Sequence, residues 1–498
     1  MSTTYFAEGF PYALVNNVAE VLFKELGASI QAIGLTAIFH LPWNLKFLWA
    51  PLLDHYETKR RFMLGCEWAV LAVLLVLTAL GDGIPLWLAA ALFILLAFIA
   101  ATHDVAIDGY YLEALDADEQ PRFVGLRAAA YRGAALLASG PLLVVADLAG
   151  WHATWGAATV VMSVVLAYHW TFLPDVERRG DPLRQWLRAL LRPRVYAAFA
   201  VIAAVLALEA GLPFIRPVAA AIRSRIATIP ALGDLGAAEW IGLVLLVSML
   251  AALASLGRLR RMLVRQNSRY GRAFLDLLDA PQMGRALAFI VLFRTGESFL
   301  MKMRLPFLRD GCGMDLSTYG IVNGTLGFLA TLVATLVGGF LISRHGLRRW
   351  LWPMVLAQNV PNLLYVAIAS VPDPAALGTW IVGSVVIAED FGAGLGTAVF
   401  LVYLMRCCDP RHKATHMAVL TAVMSIGFTV AGMSSGFLVE ALGGFAPYFV
   451  FAFIATIPSM LLLPWVPFLD RGRGEAPTAE PPALPAPKRA APTRIDAD

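Results

Sequence analysis

Apolar runs recur from one end of this chain to the other, separated by short polar and basic stretches. Runs of about 20 residues match the hydrocarbon thickness of a bilayer. The pattern predicts helices at 5–25, 30–53, 62–80, 85–114, 122–147 and 153–173. Two further apolar segments follow at 195–216 and 238–257, and then six more helices at 285–307, 316–342, 350–371, 376–405, 414–441 and 446–469. The expected fold class is therefore an all-α integral membrane protein of about fourteen transmembrane helices, arranged six, two, six. Residues 1–173 and 285–469 form the two bundles. Residues 174–284 hold basic cytosolic segments and the extra helix pair, and the Pro- and Ala-rich stretch 470–498 is expected to be a disordered cytosolic tail.

Composition agrees with this reading. The chain of 498 residues is 59% hydrophobic and 15% charged, against about 25% charged in soluble domains. With the N-terminus inside, about 23 Lys and Arg fall in inside loops and about 4 in outside loops, a strong positive-inside bias. The excess of basic residues thus belongs to loops and implies no nucleic-acid partner. "MSTTYF" has no basic n-region, so no cleavable leader is expected. Cys66, Cys312, Cys407 and Cys408 lack the spacing of a zinc site or a disulfide framework.

The bundles repeat one another. "APLLDHYETKRR" from Ala50 corresponds to "GGFLISRHGLRR" from Gly338, and "PRFVGLRAAAYRG" from Pro121 to "PRHKATHMAVLTA" from Pro410, both at an offset of about 289. Gly9 against Gly296 and Asp104 against Asp390 give about 286–287. Duplicated halves of this kind are a hallmark of secondary transporters.

Two six-helix halves joined by a basic middle segment resemble the major facilitator superfamily. The loop Asp54–Arg61, with Arg60 and Arg61, and its second copy, with Arg344, Gly346, Arg348 and Arg349, resemble that superfamily's cytosolic gate motif. The second copy has Ser343 where the motif has an acid. More narrowly, "YFAEGFPYAL", "LPWNLKFLWAPLLD", "THDVAIDGYYLE" and the long run from Glu389 to Gly444 resemble the muropeptide permease (AmpG-type) family, grouped with the peptide–acetyl-coenzyme A–drug transporters. The resemblance implies movement of a polar metabolite across the cytoplasmic membrane, driven by protons.

The ionisable and amide residues concentrate on the first helix of each three-helix unit. Numbering the core twelve, the first helix has Glu8, Asn16, Asn17, Glu20 and Lys24, and the fourth has His103, Asp104 and Asp108. The seventh has Arg294, Glu297, Lys302 and Arg304, and the tenth has Glu389 and Asp390. The third, sixth and twelfth carry almost none in mid-span. In the superfamily this chain resembles, the first group lines the central cavity. Charges in hydrocarbon are costly and need partners or water. Asp104 and Asp108 share a face, and Arg127 on the fifth helix is expected to pair with one of them, with Tyr131 on the same face as Arg127. Two close carboxylates beside one arginine resist losing both protons, which suits proton coupling. A static charge cluster, or metal binding through His103 and the aspartates, are the alternatives; the working assignment has no metal and no cofactor. Glu389 and Asp390 read as a protonatable site opposite Arg294 and Lys302. Arg294 and Glu297, three apart, either pair with each other or bind a substrate carboxylate. Asn16, Asn17 and Glu20 either bind a sugar or peptide or bridge helices 1 and 5. Lys46 is expected to snorkel to the surface, and Glu8 to be solvated near the inner boundary.

The expected protein is a monomeric secondary transporter of the bacterial inner membrane, with protons, lipid and a small-molecule substrate as its partners. The resemblance implies an anhydromuropeptide as the first substrate and a coenzyme A ester or drug as the second. The readings from other classes are an integral membrane transferase and a non-transporting sensor. The duplication opposes an enzyme, which needs one site, and no G-x-x-x-x-G-K-[ST] loop supports an ATP-driven pump.

Overall fold

The computed structural model describes residues 2–46, 49, 53, 58–115, 120–176, 269–409 and 413–469, and all regular elements among them are helical. The first bundle opens with α1 (Ser2–Ala13, a π turn at Leu14–Val18, then Ala19–Glu25). α2 (Ile30–Leu35, a tight turn at Thr36–His40, then Leu41–Leu45) returns to the first end. α3 is Lys59–Leu80 and α4 is Leu86–Ala114. α5 begins as Gln120–Ser139 and runs on to a break at Gly150, where φ is 78°, and α6 follows to Phe172. A surface helix, Arg269–Leu278, precedes the second bundle. There α7 is Met283–Pro306 with a π turn at Phe307–Gly311. α8 is Leu316–Tyr319, a π turn at Gly320–Gly327, and Phe328–His345. α9 is Leu347–Asn359 and Asn362–Ala369. α10 is Thr379–Cys407 and α11 is Lys413–Ala441. α12 is Phe445–Ile454 and Ile457–Leu462. The extra helix pair expected at 195–216 and 238–257, the tail from 470, and Asp54 of the first gate motif lie outside the described residues.

Local chemistry sets several helix starts. The Ser29 and Thr58 hydroxyls accept from the N–H groups of Ala32 and Arg61, at 3.1 and 3.2 Å, and start α2 and α3. Asp315 starts α8 by accepting from the Thr318 N–H at 2.7 Å. That bond holds its carboxyl down to about 2, below the usual aspartate range. At the α5–α6 break, Asp82 accepts from the Trp151 N–H at 2.9 Å. Arg60 of the gate motif donates to the carbonyls of Leu173 (2.7 Å) and Trp170 (3.2 Å), so it closes the end of α6 within its own half. Arg406, at the end of α10, donates in the same way to the Leu469 carbonyl beyond α12.

The apolar core forks. At the end where α1 meets α2, one cluster holds residues of both halves, among them Phe23, Phe39 and Trp155 with Phe307, Tyr365 and Phe449. Toward the N-terminal end each half has its own cluster. Tyr5, Phe62 and Tyr110 pack in the first, and Phe289, Phe400 and Tyr403 in the second. Glycine seams join the halves at the fused end. A Cβ on Gly324 of α8 would lie 1.8 Å from the Ser139 carbonyl oxygen of α5, and one on Gly436 of α11 would lie 2.3 Å from the Ile30 carbonyl oxygen of α2. Only glycine permits this approach. The two seams, α2 on α11 and α5 on α8, are counterparts under the internal duplication.

Overpacking a seam costs about 1–3 kcal/mol, enough to bias two conformations by about fivefold to a hundredfold. Gly324→Val and Gly436→Val should therefore each open the fused end. A membrane-impermeant maleimide should label a cysteine placed at buried Thr36 about tenfold faster in either background than in the parent. Unchanged labelling would show that the seam is not what holds that end shut.

Candidate functional site

Ion pairs define three stations along the boundary between the halves. At the fused end, Lys24 meets Asp310 at 2.7 Å and Arg309 meets Glu25 at 2.5 Å. One to two turns deeper, Lys302 of α7 donates to Glu20 at 2.8 Å and to the Thr36 hydroxyl at 2.6 Å. Among the described residues these three ion pairs cross between the halves, and all lie on the fused side. Gln31 of α2 also donates to Glu440 of α11 there. The expectation that Lys302 faces Glu389 and Asp390 is thus not met: Lys302 pairs with Glu20, and the two acids pair with Arg304.

The second station is on the N-terminal side of the first half. Asp104 is paired with Lys46, which turns inward; the expected snorkelling is corrected. Asp108 accepts from Tyr5 at 3.0 Å and from Arg127 at 3.1 Å. The Arg127 guanidinium also sits over the Tyr5 ring, 4.2 Å from its centroid. Glu8 does not point to solvent. Its carboxylate lies within 4.8 Å of those of Asp104 and Asp108, and its Oε2 is buried with no hydrogen-bond partner. Three carboxylates at this spacing have the donor set of a cation site. Here an ammonium and a guanidinium already hold two of them, which leaves one uncompensated negative charge.

The third station is in the second half. The Arg304 Nη1 donates to Glu389 at 2.7 Å and to Asp390 at 2.8 Å. One nitrogen has two N–H bonds, so a single arginine serves both adjacent acids; the sequence reading had expected Arg294 and Lys302 instead. Arg294 pairs with Glu297 on its own helix, and Gln358 of α9 donates to Glu297 at 2.8 Å. Arg294 also stacks on Phe400, 5.7 Å from the ring centroid.

Other expected residues separate. Asn17 donates to Ser139 at 2.7 Å and bridges α1 to α5. Asn16 donates to the Tyr12 carbonyl at 3.0 Å and meets His40 at 3.0 Å. Tyr131 packs on Tyr12, with ring centroids 5.7 Å apart. His103 is turned away from Asp104 and is fully buried, 3.3 Å from Glu67 of α3, which also meets His169 of α6 at 2.5 Å. His103 therefore leaves the substrate-facing set. Glu67 lies eight residues into α3 and His169 three residues before the end of α6. Both fall on helices whose mid-spans carry almost no charge, and the signal that finds them is the charge itself inside an apolar period. Lys46, Glu8 and Arg304 are visible in the sequence as charges, but their positions near helix ends do not show that they turn inward.

Glu67 is the shared acceptor for two buried imidazoles, and removing one partner of a buried charged pair costs about 3–5 kcal/mol. Glu67→Ala should lower thermal stability in detergent markedly. Glu67→Gln, which keeps an acceptor, should lower it less. Equal melting for the two variants would sink this assignment.

The helical fold agrees with comparisons to known proteins. The chain is 27% identical over 465 residues to the anhydromuropeptide permease of Escherichia coli K12, covering 92% of this chain and 77% of that protein. Among solved structures, a POT family transporter in complex with a thioalcohol-conjugated peptide superposes with a TM-score of 0.64 at 13% identity, over 94% of this chain and 96% of that one. A point mutant of the nucleoside transporter NupG does so with a TM-score of 0.54 at 14% identity, over 93% and 97%. These likenesses extend to the fold. The model of the Major Facilitator Superfamily matches residues 1–274 and 287–494, so this multi-pass membrane protein belongs to the Major Facilitator Superfamily.

Proposed function

We propose that the chain is a monomeric, non-enzymatic secondary transporter of the bacterial cytoplasmic membrane, with both termini cytosolic. It moves an anhydromuropeptide or a similar peptide-sugar by alternating access, coupled to protons. The observation that carries this reading is the forked core. All three ion pairs that join the halves among the described residues are at one end, while the carboxylate cluster lies toward the other. With the basic loops inside, the sealed end is periplasmic and the conformation faces the cytosol. The Escherichia coli relative's name supports the substrate class. The residues support its chemistry: Arg294 keeps donors beyond the one used on Glu297. A guanidinium with a stacking ring beside it suits a peptide carboxylate, and Asn17 and Tyr131 supply sugar-binding groups.

Proton coupling is assigned to Glu8, Asp104 and Asp108. Lys46 and Arg127 neutralise the two aspartates, so the excess charge falls on Glu8, and one proton makes the cluster neutral. A buried net charge is costly, so binding and loss of that proton favour different degrees of hydration. Asp104 and Asp108 are then the fixed frame, and Glu8 is the group that loads.

Uptake of labelled anhydromuropeptide into inverted and right-side-out vesicles tests the whole reading. An inward proton gradient should accelerate uptake in right-side-out vesicles. Glu8→Gln and Asp108→Asn should abolish the gradient effect while leaving substrate exchange in place. Binding without movement would favour a sensor, and no binding would reject the muropeptide in favour of a coenzyme A ester. Separately, Arg294→Lys should raise KM about tenfold with kcat little changed, as expected for loss of bidentate ground-state binding. An unaltered KM would remove Arg294 from the substrate site.

A further inference from the structure

Charge matching within the second half leaves a remainder that the α4 cluster does not explain. Glu389 and Asp390 share Arg304, and the side chains are 1%, 9% and 8% exposed respectively. The other charged groups nearby are already matched: Glu297 by Arg294 and Glu20 by Lys302. Facing the pair from the packed helices are Tyr319 of α8 and Tyr365 of α9, both neutral phenols, with Glu297 on α7. No second cation reaches the acids among the described residues. Asp390 Oδ2 is buried with no hydrogen-bond partner, as are Gln358 Oε1 and Asn323 Oδ1. It is aimed at α8, where Gly327 leaves it room: a Cβ there would lie 1.9 Å from Oδ2.

Two carboxylates against one guanidinium leave one negative charge in a dry interior. Its cost in low dielectric far exceeds that of protonating one acid. We infer that the second half carries its own proton-binding site, formed by Glu389 and Asp390 around Arg304, separate from the α4 cluster and closed to water in this conformation. The pair holds one shared proton, which balances the charge of the three groups to zero. Its use in transport rests on the proton-coupled reading above; its existence does not.

Position separates the two sites further. Glu389 is ten residues beyond the start of α10 at Thr379, about 15 Å along the axis from the sealed end. Asp104 is eighteen residues beyond the start of α4 at Leu86, about 27 Å from the same end. Lys302, two residues before Arg304 on α7, holds Glu20 of the opposite half. Opening the sealed end withdraws Glu20 of α1 from Lys302, two residues along α7 from Arg304, and parts α5 from α8 at the Gly324 seam. The second site therefore exchanges its proton with the side opposite to the one Glu8 faces here, and a full cycle has two protonation steps at different depths.

The test uses the purified full-length chain in lipid nanodiscs, without any substrate. Infrared difference spectra across a pH titration in sodium-free buffer read protonated carboxyl groups by their C=O stretch. The parent should show such a band at neutral pH. Glu389→Gln and Asp390→Asn should each remove the same band, because one acid left with Arg304 is neutral without a proton. Glu8→Gln should leave it in place. Both variants keep a carboxylate for Arg304, so folding is expected and is checked by size-exclusion profile. The inference is overturned if the parent shows no band beyond the one that Glu8→Gln removes, if that band survives both substitutions, or if it disappears on adding sodium, which would make the pair a cation site. None of these outcomes depends on whether the chain moves muropeptides.

Discussion

Lys302 crosses from one half of the molecule to the other and ends between Glu20 and Thr36, almost out of reach of water. An ammonium in that position must have its carboxylate, so the two halves stay pressed together at this level for as long as the pair is made. The glycine seams on either side follow from that constraint, since helices this close have no space for side chains. The fork in the core follows as well. Apolar surface fused at one end is necessarily divided at the other, because each six-helix half is a rigid packed body.

The same requirement, that each charge in hydrocarbon find an opposite one, orders the interior into local neutral groups. Lys24 with Asp310, Arg309 with Glu25, Lys302 with Glu20, and Arg294 with Glu297 balance pair by pair. His103, Glu67 and His169 form a group inside the first half that fixes α3, α4 and α6 together. His103 and Asp104 are consecutive, so anchoring the histidine on one side of α4 sets the rotation that presents the aspartate on the other. The groups that do not balance, around Asp104 and around Arg304, are those with an acid to spare.

The helical class, the duplication and the concentration of polar groups on α1, α4, α7 and α10 were legible because they are written as periods and runs. Hydrophobic length identifies a span whatever it packs against. Partnership was less legible. Arg127 with Asp108 could be read from equal depth on adjacent helices. Lys302 with Glu20 could not, since it depends on which end of the two halves is closed, and this varies between conformations. Glu8 and Lys46 were misplaced for a related reason. Position near a helix end suggests solvent, but α1 and α2 bring both inward against α4. Arg304 was passed over in favour of its neighbours because nothing in spacing tells which of four charged residues on α7 faces α10.

The π turns at Leu14–Val18, Phe307–Gly311 and Gly320–Gly327 have a consequence for how water moves. A π turn has one residue more than the helix around it and leaves backbone groups in poorer geometry. Lipid does not tolerate such loosened amides, whereas a hydrated boundary does. The second holds Arg309 and Asp310 of the ion pairs across the boundary, the third holds Gly324 of the glycine seam, and the first precedes Glu20 on α1. They are the places where amide hydrogens deep in the membrane become exchangeable once the halves part, while the surrounding helices stay protected.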